Sequence, residues 1–171
     1  MPKHPTTFPS DTLVSSAELA QVAGIDLDTV NNWLQRGIIS RSPVGGRQLR
    51  SRLFSMTQVY RAAFIADLVK LGIPPSTAAD AVAELWSQWD GKQASDGRRF
   101  YGVLLPTEGN WSVLLGWRES SGGPLQKFKT SGTSGEIEFP KKAFVVLPIS
   151  DVLDRVSKAV AGLLGVEGTK K

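Results

Sequence analysis

The hydrophobic pattern of this 171-residue chain changes character at residues 90–91. From Ser15 to Trp89, apolar residues recur at helical spacing, interrupted by glycines and by one pair of prolines. Residues 98–149 instead show short runs of valine, leucine and aromatic residues, which turn-forming clusters separate. The first pattern is typical of amphipathic helices and the second of antiparallel strands. The sequence therefore predicts an α+β protein made of two small domains, each with a modest core.

The expected domain limits follow from the same pattern. Residues 1–12 hold three prolines and no hydrophobic period, which is typical of a flexible leader. A helical domain is expected at 13–90 and a β-rich domain at 98–165, with residues 166–171 as a flexible tail.

The β-rich half predicts a four- or five-stranded antiparallel sheet closed by a helix. The expected strands lie at 99–105, 111–117, 125–130, 136–139 and 143–149. The closing helix is expected to begin at Ser150-Asp151 and to fade at Gly165. Two roles are open for it, because it suits either a cover for one face of the sheet or a dimer contact.

The composition excludes several classes of chemistry. Without cysteine, the chain can form no disulfide, thiolate nucleophile, zinc finger or iron–sulfur cluster, and His4 is its single histidine. Neither a Ser/His catalytic pair nor a histidine metal site fits this inventory, so we expect a non-enzymatic protein without cofactor. No apolar run approaches the roughly 18 to 20 residues of a membrane span, and the start lacks a secretory signal, so we expect a cytoplasmic protein without membrane contact.

Two helices separated by a tight turn are predicted near the start of the helical domain. The first begins with Ser15-Ser16-Ala17-Glu18, a capping box, and ends at Gly24, which suits a left-handed residue. Asp26 is a good N-cap for a second helix at 27–36. At 100° per residue the second helix separates an apolar face from an amide-rich face; the apolar face holds Val30, Trp33 and Leu34, and the other holds Asp28, Asn31, Asn32 and Gln35.

The amide-rich face suits base recognition, since amides can pair with adenine edges in the major groove. The alternative is an ordinary solvated helix face. Charge supports the first interpretation, because the segment from Thr29 to Ala66 holds six arginines and no lysine or acidic residue. It carries +6, and the rest of the chain sums to −2. Guanidinium groups suit phosphate recognition.

Part of this arginine cluster falls in a predicted hairpin, or wing, at 41–54. Gly45-Gly46 forms its tip, and Arg47, Arg50 and Arg52 line the returning strand. A third helix begins at Ser55 or Met56 with a second capping box and buries apolar residues up to Leu71. Its Tyr60 and Arg61 lie near the wing, where they could touch phosphate, although packing is the favoured role of Tyr60. Pro75 suits the first turn of a fourth helix.

These pieces together resemble the winged helix-turn-helix domain of MerR-family transcription regulators over residues 13–86. The segments that carry the resemblance are Val14-Ser15-Ser16-Ala17-Glu18-Leu19-Ala20, Gly24-Ile25-Asp26, Thr29-Val30, Gly37-Ile38-Ile39, Arg52-Leu53-Phe54-Ser55 and Leu68-Val69-Lys70-Leu71-Gly72-Ile73. The resemblance implies a bacterial or phage regulator that binds double-stranded operator DNA as a homodimer, associated with the nucleoid. The candidate DNA contacts are Ser16, Asp28, Thr29, Asn31, Asn32, Gln35, Arg36, Arg41, Arg47, Arg50, Arg52, Tyr60 and Arg61.

The family commonly continues into a coiled coil after the fourth helix, whereas this sequence has Gly91 and a β-rich segment. The C-terminal half therefore has three candidate roles: a dimerisation module, a domain that binds a small-molecule or protein effector, or a docking surface. Two alternative functions remain open for the whole chain. One is an architectural DNA-binding protein similar to a phage excisionase or terminase small subunit, and the other is a protein-interaction adaptor.

Overall fold

The computed structural model of the chain describes residue 8 and residues 12–41, 53–89, 99–107, 110–118 and 145–165. Along the chain these residues form β1 (Leu13–Ser15), α1 (Ser16–Ala23), α2 (Leu27–Gln35), β2 (Leu53–Ser55), α3 (Met56–Lys70), α4 (Pro75–Trp89), β3 (Arg99–Thr107), β4 (Asn110–Arg118), β5 (Val145–Leu147) and α5 (Ile149–Leu163). The combination of helices with two small antiparallel sheets confirms the α+β class. Within these ranges, no helix is both long and apolar enough to cross a membrane.

The described chain divides into two compact units. The first contains residue 8 and residues 12–41, 53–79 and 152–165, and the second contains residues 80–89, 99–107, 110–118 and 145–151. Helix α5 therefore belongs to the first unit from Val152 onward. The β-rich domain expected at 98–165 includes this helix. The strands expected at 125–130 and 136–139, most of the leader and the tail lie outside the described residues, and the domain limits drawn from the sequence stay a prediction.

In the first unit, a short antiparallel pair joins two helix starts. Strand β1 pairs with β2 so that Val14 lies opposite Phe54, and both side chains are buried. The last residue of each strand, Ser15 or Ser55, is also the N-cap of the helix that follows. Strand pairing therefore sets where α1 and α3 begin.

Both predicted capping boxes contribute to these helix starts. The Ser15 hydroxyl accepts from the Glu18 backbone N–H at 3.3 Å, and the Glu18 carboxylate accepts from the Ser15 N–H at 2.7 Å. In α3, the side-chain oxygen of Gln58 accepts from the Ser55 backbone N–H at 2.9 Å. Each bond satisfies an amide that an isolated helix end would leave unpaired.

Helix α3 is the central helix of the first unit. Val59, Phe64 and Leu68 are fully buried along it, and burial of each such side chain contributes about 1.5–3 kcal/mol. The expectation that burial continues to Leu71 is wrong, since that side chain is 61% exposed. Leu71 is the C-cap of α3, and the chain turns away there through Gly72, whose φ is +90°.

The second unit contains a three-stranded sheet of order β4-β3-β5. Strand β3 pairs with β4 from Arg99↔Arg118 to Thr107↔Asn110, as expected for a hairpin, and pairs with β5 at Val103↔Val146. Gly102 on β3 has no side chain, and a Cβ there would lie 3.1 Å from the Leu85 side chain. Glycine thus lets β3 approach this part of α4 closely.

The capping box of α1 makes stability depend on pH. Hydrogen bonds from Ser15, its hydroxyl first and its backbone N–H second, hold the pKa of the Glu18 carboxyl below its ordinary value of 4.5. A lowered folded-state pKa stabilises the fold above the unfolded value, and this stabilisation is lost as pH falls through the folded value. We expect the free energy of unfolding to fall below pH 4.5, and Glu18→Gln to reduce that fall. Urea unfolding of both proteins between about pH 7 and 3 measures the free energy of unfolding at each pH. A Glu18→Gln variant with the full wild-type pH dependence would contradict the prediction.

Candidate nucleic-acid interface

A three-residue turn joins α1 to α2. Gly24 ends α1 in the left-handed conformation, with φ +65°, and its N–H lies 3.3 Å from the Gln21 carbonyl oxygen. The next amide, of Ile25, donates to Ala20 at 3.0 Å. Asp26 then caps α2, because one carboxylate oxygen accepts from the Thr29 N–H at 2.6 Å and the other from its hydroxyl at 2.9 Å. Both the glycine stop and the aspartate cap were expected from the sequence.

The inner face of α2 anchors the helix in the first unit. Val30 is fully buried, and Trp33, which is 4% exposed, lines one depression together with Ala66 and Val69 of α3. The end of α2 is equally well defined, since the N–H of Ile38 donates to the Trp33 carbonyl at 2.9 Å. Burial of Ile39 then fixes the path of the chain as it leaves the helix.

The outer face of α2 carries the polar residues that the sequence singles out. Asp28, Asn32, Gln35 and Arg36 are exposed, whereas Asn31 is half-buried. An open depression of about 440 Å³ lies at the C-terminal half of the helix. Its lining residues are Asn31, Leu34, Gln35, Gly37, Ile39, Ser40 and Arg41. The structure thus brings two amides of α2 and one arginine to a common concave surface.

The two ends of α2 differ in charge. Asp26 and Asp28 lie at its N-terminal end, and hydrogen bonds from Thr29, the backbone N–H first and the hydroxyl second, lower the pKa of Asp26. Arg36 caps the C-terminal end, and exposed Arg41 follows it. Negative charge at the N-terminus and positive charge at the C-terminus both suit the helix dipole. For an approaching polyanion, the C-terminal end of α2 is the attractive one.

A known family matches this part of the chain. Residues 14–85 match the family described as MerR HTH family regulatory protein. Over these residues the chain resembles a MerR-family helix-turn-helix domain. The match runs from Val14 in β1 through most of α4, so it covers the turn and α2 described above. No curated protein matches the chain in a sequence search.

Members of the MerR family are DNA-binding transcription regulators and typically bind as dimers. The match supports a DNA-binding, transcription-regulating role for this segment. Most of the predicted wing cannot be compared with the structure, because residues 42–52 lie outside the described part of the chain. The expected hairpin at 41–54, with Arg47, Arg50 and Arg52, stays a prediction.

Four other candidate contacts lie in the first unit, and two of them are hydrogen-bonded within it. The Thr29 hydroxyl donates to Asp26, and the Tyr60 hydroxyl lies 2.8 Å from the Ser157 hydroxyl. Ser16 Oγ is buried, without a hydrogen-bond partner among the described residues. Arg61 on α3 is half-buried. None of these four candidates lines the depression beside α2.

Two features of the first unit were not predicted from the sequence. One is that Ser40 lines the depression next to Arg41. Its position beside an arginine, in a turn that follows a glycine, could have indicated this. The other is the partner of Tyr60, Ser157, which comes from α5, 97 residues away. No local pattern encodes so distant a pair.

The turn before α2 has a glycine that resists substitution. At Gly24 a side chain would be strained by the positive φ, and its Cβ would lie 3.1 Å from Lys70 Nζ. We expect Gly24→Ala to lower the free energy of unfolding by about 1–2 kcal/mol, the cost of left-handed backbone for an L-residue. Gly162→Ala is the matched control, because that helical glycine has open space around it and alanine favours helix. Urea unfolding measures the free energy of unfolding of both variants. Equal losses in the two variants would contradict the prediction.

Proposed function

We propose that this chain is a sequence-specific DNA-binding transcription regulator of MerR type, with α2 as its recognition helix. The observation that carries the proposal is the open depression at the outer face of α2, which Asn31 and Gln35 of the helix line together with Arg41. A helix of nine residues fits the major groove of B-DNA. The buried inner face supports the same orientation, since Val30 and Trp33 attach α2 to the rest of the unit.

Base recognition falls to the amide side chains. Asn32 and Gln35 are exposed, and an amide can donate to and accept from one adenine edge at the same time. Asn31 lies beside them on the depression and extends the same surface. Exposed Asp28 completes the face, where its carboxylate suits the amino group of cytosine.

Phosphate contacts fall to the arginines. Arg36 and Arg41 lie at the C-terminal end of α2, away from Asp26 and Asp28, so this end is expected to approach the DNA backbone more closely. We extend the proposal to the wing arginines, Arg47, Arg50 and Arg52, on phosphates or in the minor groove. Ser16, Thr29, Tyr60 and Arg61 are assigned secondary contacts at most, because three of their hydroxyls are buried or hydrogen-bonded within the unit.

We also propose how the protein assembles and where in the cell it acts. A homodimer would present two copies of α2 to a twofold-symmetric operator. The C-terminal half would supply the dimer contact or bind an effector, and the protein would act in the cytoplasm on nucleoid DNA. The opposite charges at the two ends of α2 also suit the C-terminal end as the part of the helix nearest phosphate in each half-site.

Selection from a random DNA pool tests the proposal. The full chain is incubated with random duplexes at moderate salt, and the retained DNA is sequenced. An enriched motif with twofold symmetry is the expected result, and its half-site spacing gives the distance between the two recognition helices. Direct repeats would replace the regulator by an architectural protein. Absence of binding even at low salt would overturn DNA binding and favour an adaptor.

A further inference from the structure

Helix α5 contacts α3 through two polar pairs within the first unit. The hydroxyls of Tyr60 and Ser157 lie 2.8 Å apart, and Ser157 is 1% exposed. Arg155 Nη2 donates to Asp67 Oδ2 at 2.6 Å. Tyr60 and Asp67 are seven residues apart on α3 and so lie on one side of the helix. Hydrogen bonds therefore join α3 to α5 at two positions, two helical turns apart.

The second pair continues toward the helix-turn-helix. Asp67 lies 3.9 Å from Lys70 Nζ, one turn further along α3. Lys70 Nζ in turn donates to the carbonyl oxygen of Ala23, the last residue of α1, at 3.5 Å. The next residue is Gly24, which starts the turn before α2. A series of charged and polar contacts thus joins α5 to that turn.

Each contact has a clear electrostatic reason. The C-terminal end of α1 carries the negative end of the helix dipole and unpaired carbonyl groups, so a cation there is favourable. No basic residue lies in the last turn of α1 itself, and Lys70 of α3 supplies the charge. Asp67 lies between two cations, so Arg155 determines where its carboxylate rests and thereby where Lys70 is held.

We propose that Arg155, Asp67 and Lys70 act as positioning residues through which α5 sets the geometry of the turn before the recognition helix. The consequence for DNA rests on the proposed function, whereas the consequence for the turn does not. Side chains of Arg155 and Asp67 are 47% and 21% exposed, so solvent screens the pair. The expected effects are accordingly severalfold rather than all-or-none.

The test follows backbone amides of the uniformly ¹⁵N-labelled full chain. Arg155→Ala is expected to shift the Gly24 and Ile25 signals and to speed their hydrogen exchange about two- to fivefold. Arg155→Lys should restore most of the wild-type values because it keeps the charge. Lys158→Ala is the matched control: this exposed residue lies on the same helix and carries the same charge. It should leave both signals unchanged.

A double-mutant cycle makes the test sharper. If the contacts act in series, Lys70→Ala should shift the same signals, and adding Arg155→Ala should change them little further. Additive shifts, or no change at Gly24 and Ile25 in Arg155→Ala, would overturn the proposal. Fluorescence anisotropy with a selected duplex should show about two- to fivefold weaker binding by Arg155→Ala. If the wild type binds no DNA, the proposed function fails while the amide signals still decide the positioning role.

Discussion

Replacing Trp33 by alanine is expected to lower the free energy of unfolding by about 3–5 kcal/mol. The side chain is 4% exposed, so its removal leaves a large cavity in the core beside α2. Domains of this size are stable by only about 5–15 kcal/mol. The variant should therefore approach the unfolding threshold and lose DNA binding with its structure.

Urea unfolding followed by far-ultraviolet circular dichroism measures this effect. Asn32→Ala is the matched control, because it removes the exposed neighbouring side chain and alanine is the better helix former. Trp33→Phe provides an intermediate case, since a smaller aromatic ring fills part of the cavity and should lose less stability. A loss below about 1 kcal/mol for Trp33→Ala would show that this residue does not anchor α2.

Asn32→Ala is expected to reduce discrimination between a selected operator and a scrambled duplex by about 1–3 kcal/mol, the worth of one bidentate base contact. Affinity for the scrambled duplex should hardly change, because an amide adds little to phosphate binding. Asn32 is exposed, so the folded structure should tolerate the substitution. Anisotropy titrations with both duplexes measure the two affinities in parallel.

Arg36→Ala supplies the contrast to Asn32→Ala. Arg36 is the C-cap residue of α2 and is exposed there. Its loss should weaken binding to both duplexes by similar factors and reduce the slope of log affinity against log salt by about one. Identical behaviour of the two variants would contradict the assignment of amides to bases and arginines to phosphates.

Local physical chemistry explains why the helix starts could be predicted. The caps at Ser15, Asp26 and Ser55 each depend on residues within three positions, and the structure shows the corresponding bonds. The two faces of α2 follow from helical spacing alone, which is why Val30 and Trp33 were expected inside and Asn32 outside.

Features that depend on residues distant in the sequence could not be predicted. Strand β1 is three residues long and exists through its pairing with β2, far along the sequence. The apolar period of α5 does not specify a partner, which left a sheet cover and a dimer contact as expected roles, and Tyr60–Ser157 and Asp67–Arg155 bring the helix to α3. An amphipathic pattern reveals which face of a helix is buried, not what buries it.

The candidate site was predictable in part for the same reason. Helical spacing placed Asn31 and Gln35 on one face, but the depression they share with Ser40 and Arg41 depends on how the chain leaves α2. That path is set by Gly37, whose φ is +70°, and by burial of Ile39. Tyr60 was open to two interpretations, and its hydroxyl is engaged by Ser157.

The central claim, that α2 reads base edges, is tested most directly by a panel of operator duplexes in which each base pair is changed in turn. Wild-type chain should lose about 1–3 kcal/mol at a few positions in each half-site. Asn32→Ala should become indifferent at one or two of those positions and keep the wild-type preference at the others. An Asn32→Ala variant with an unchanged preference at every position would contradict the account.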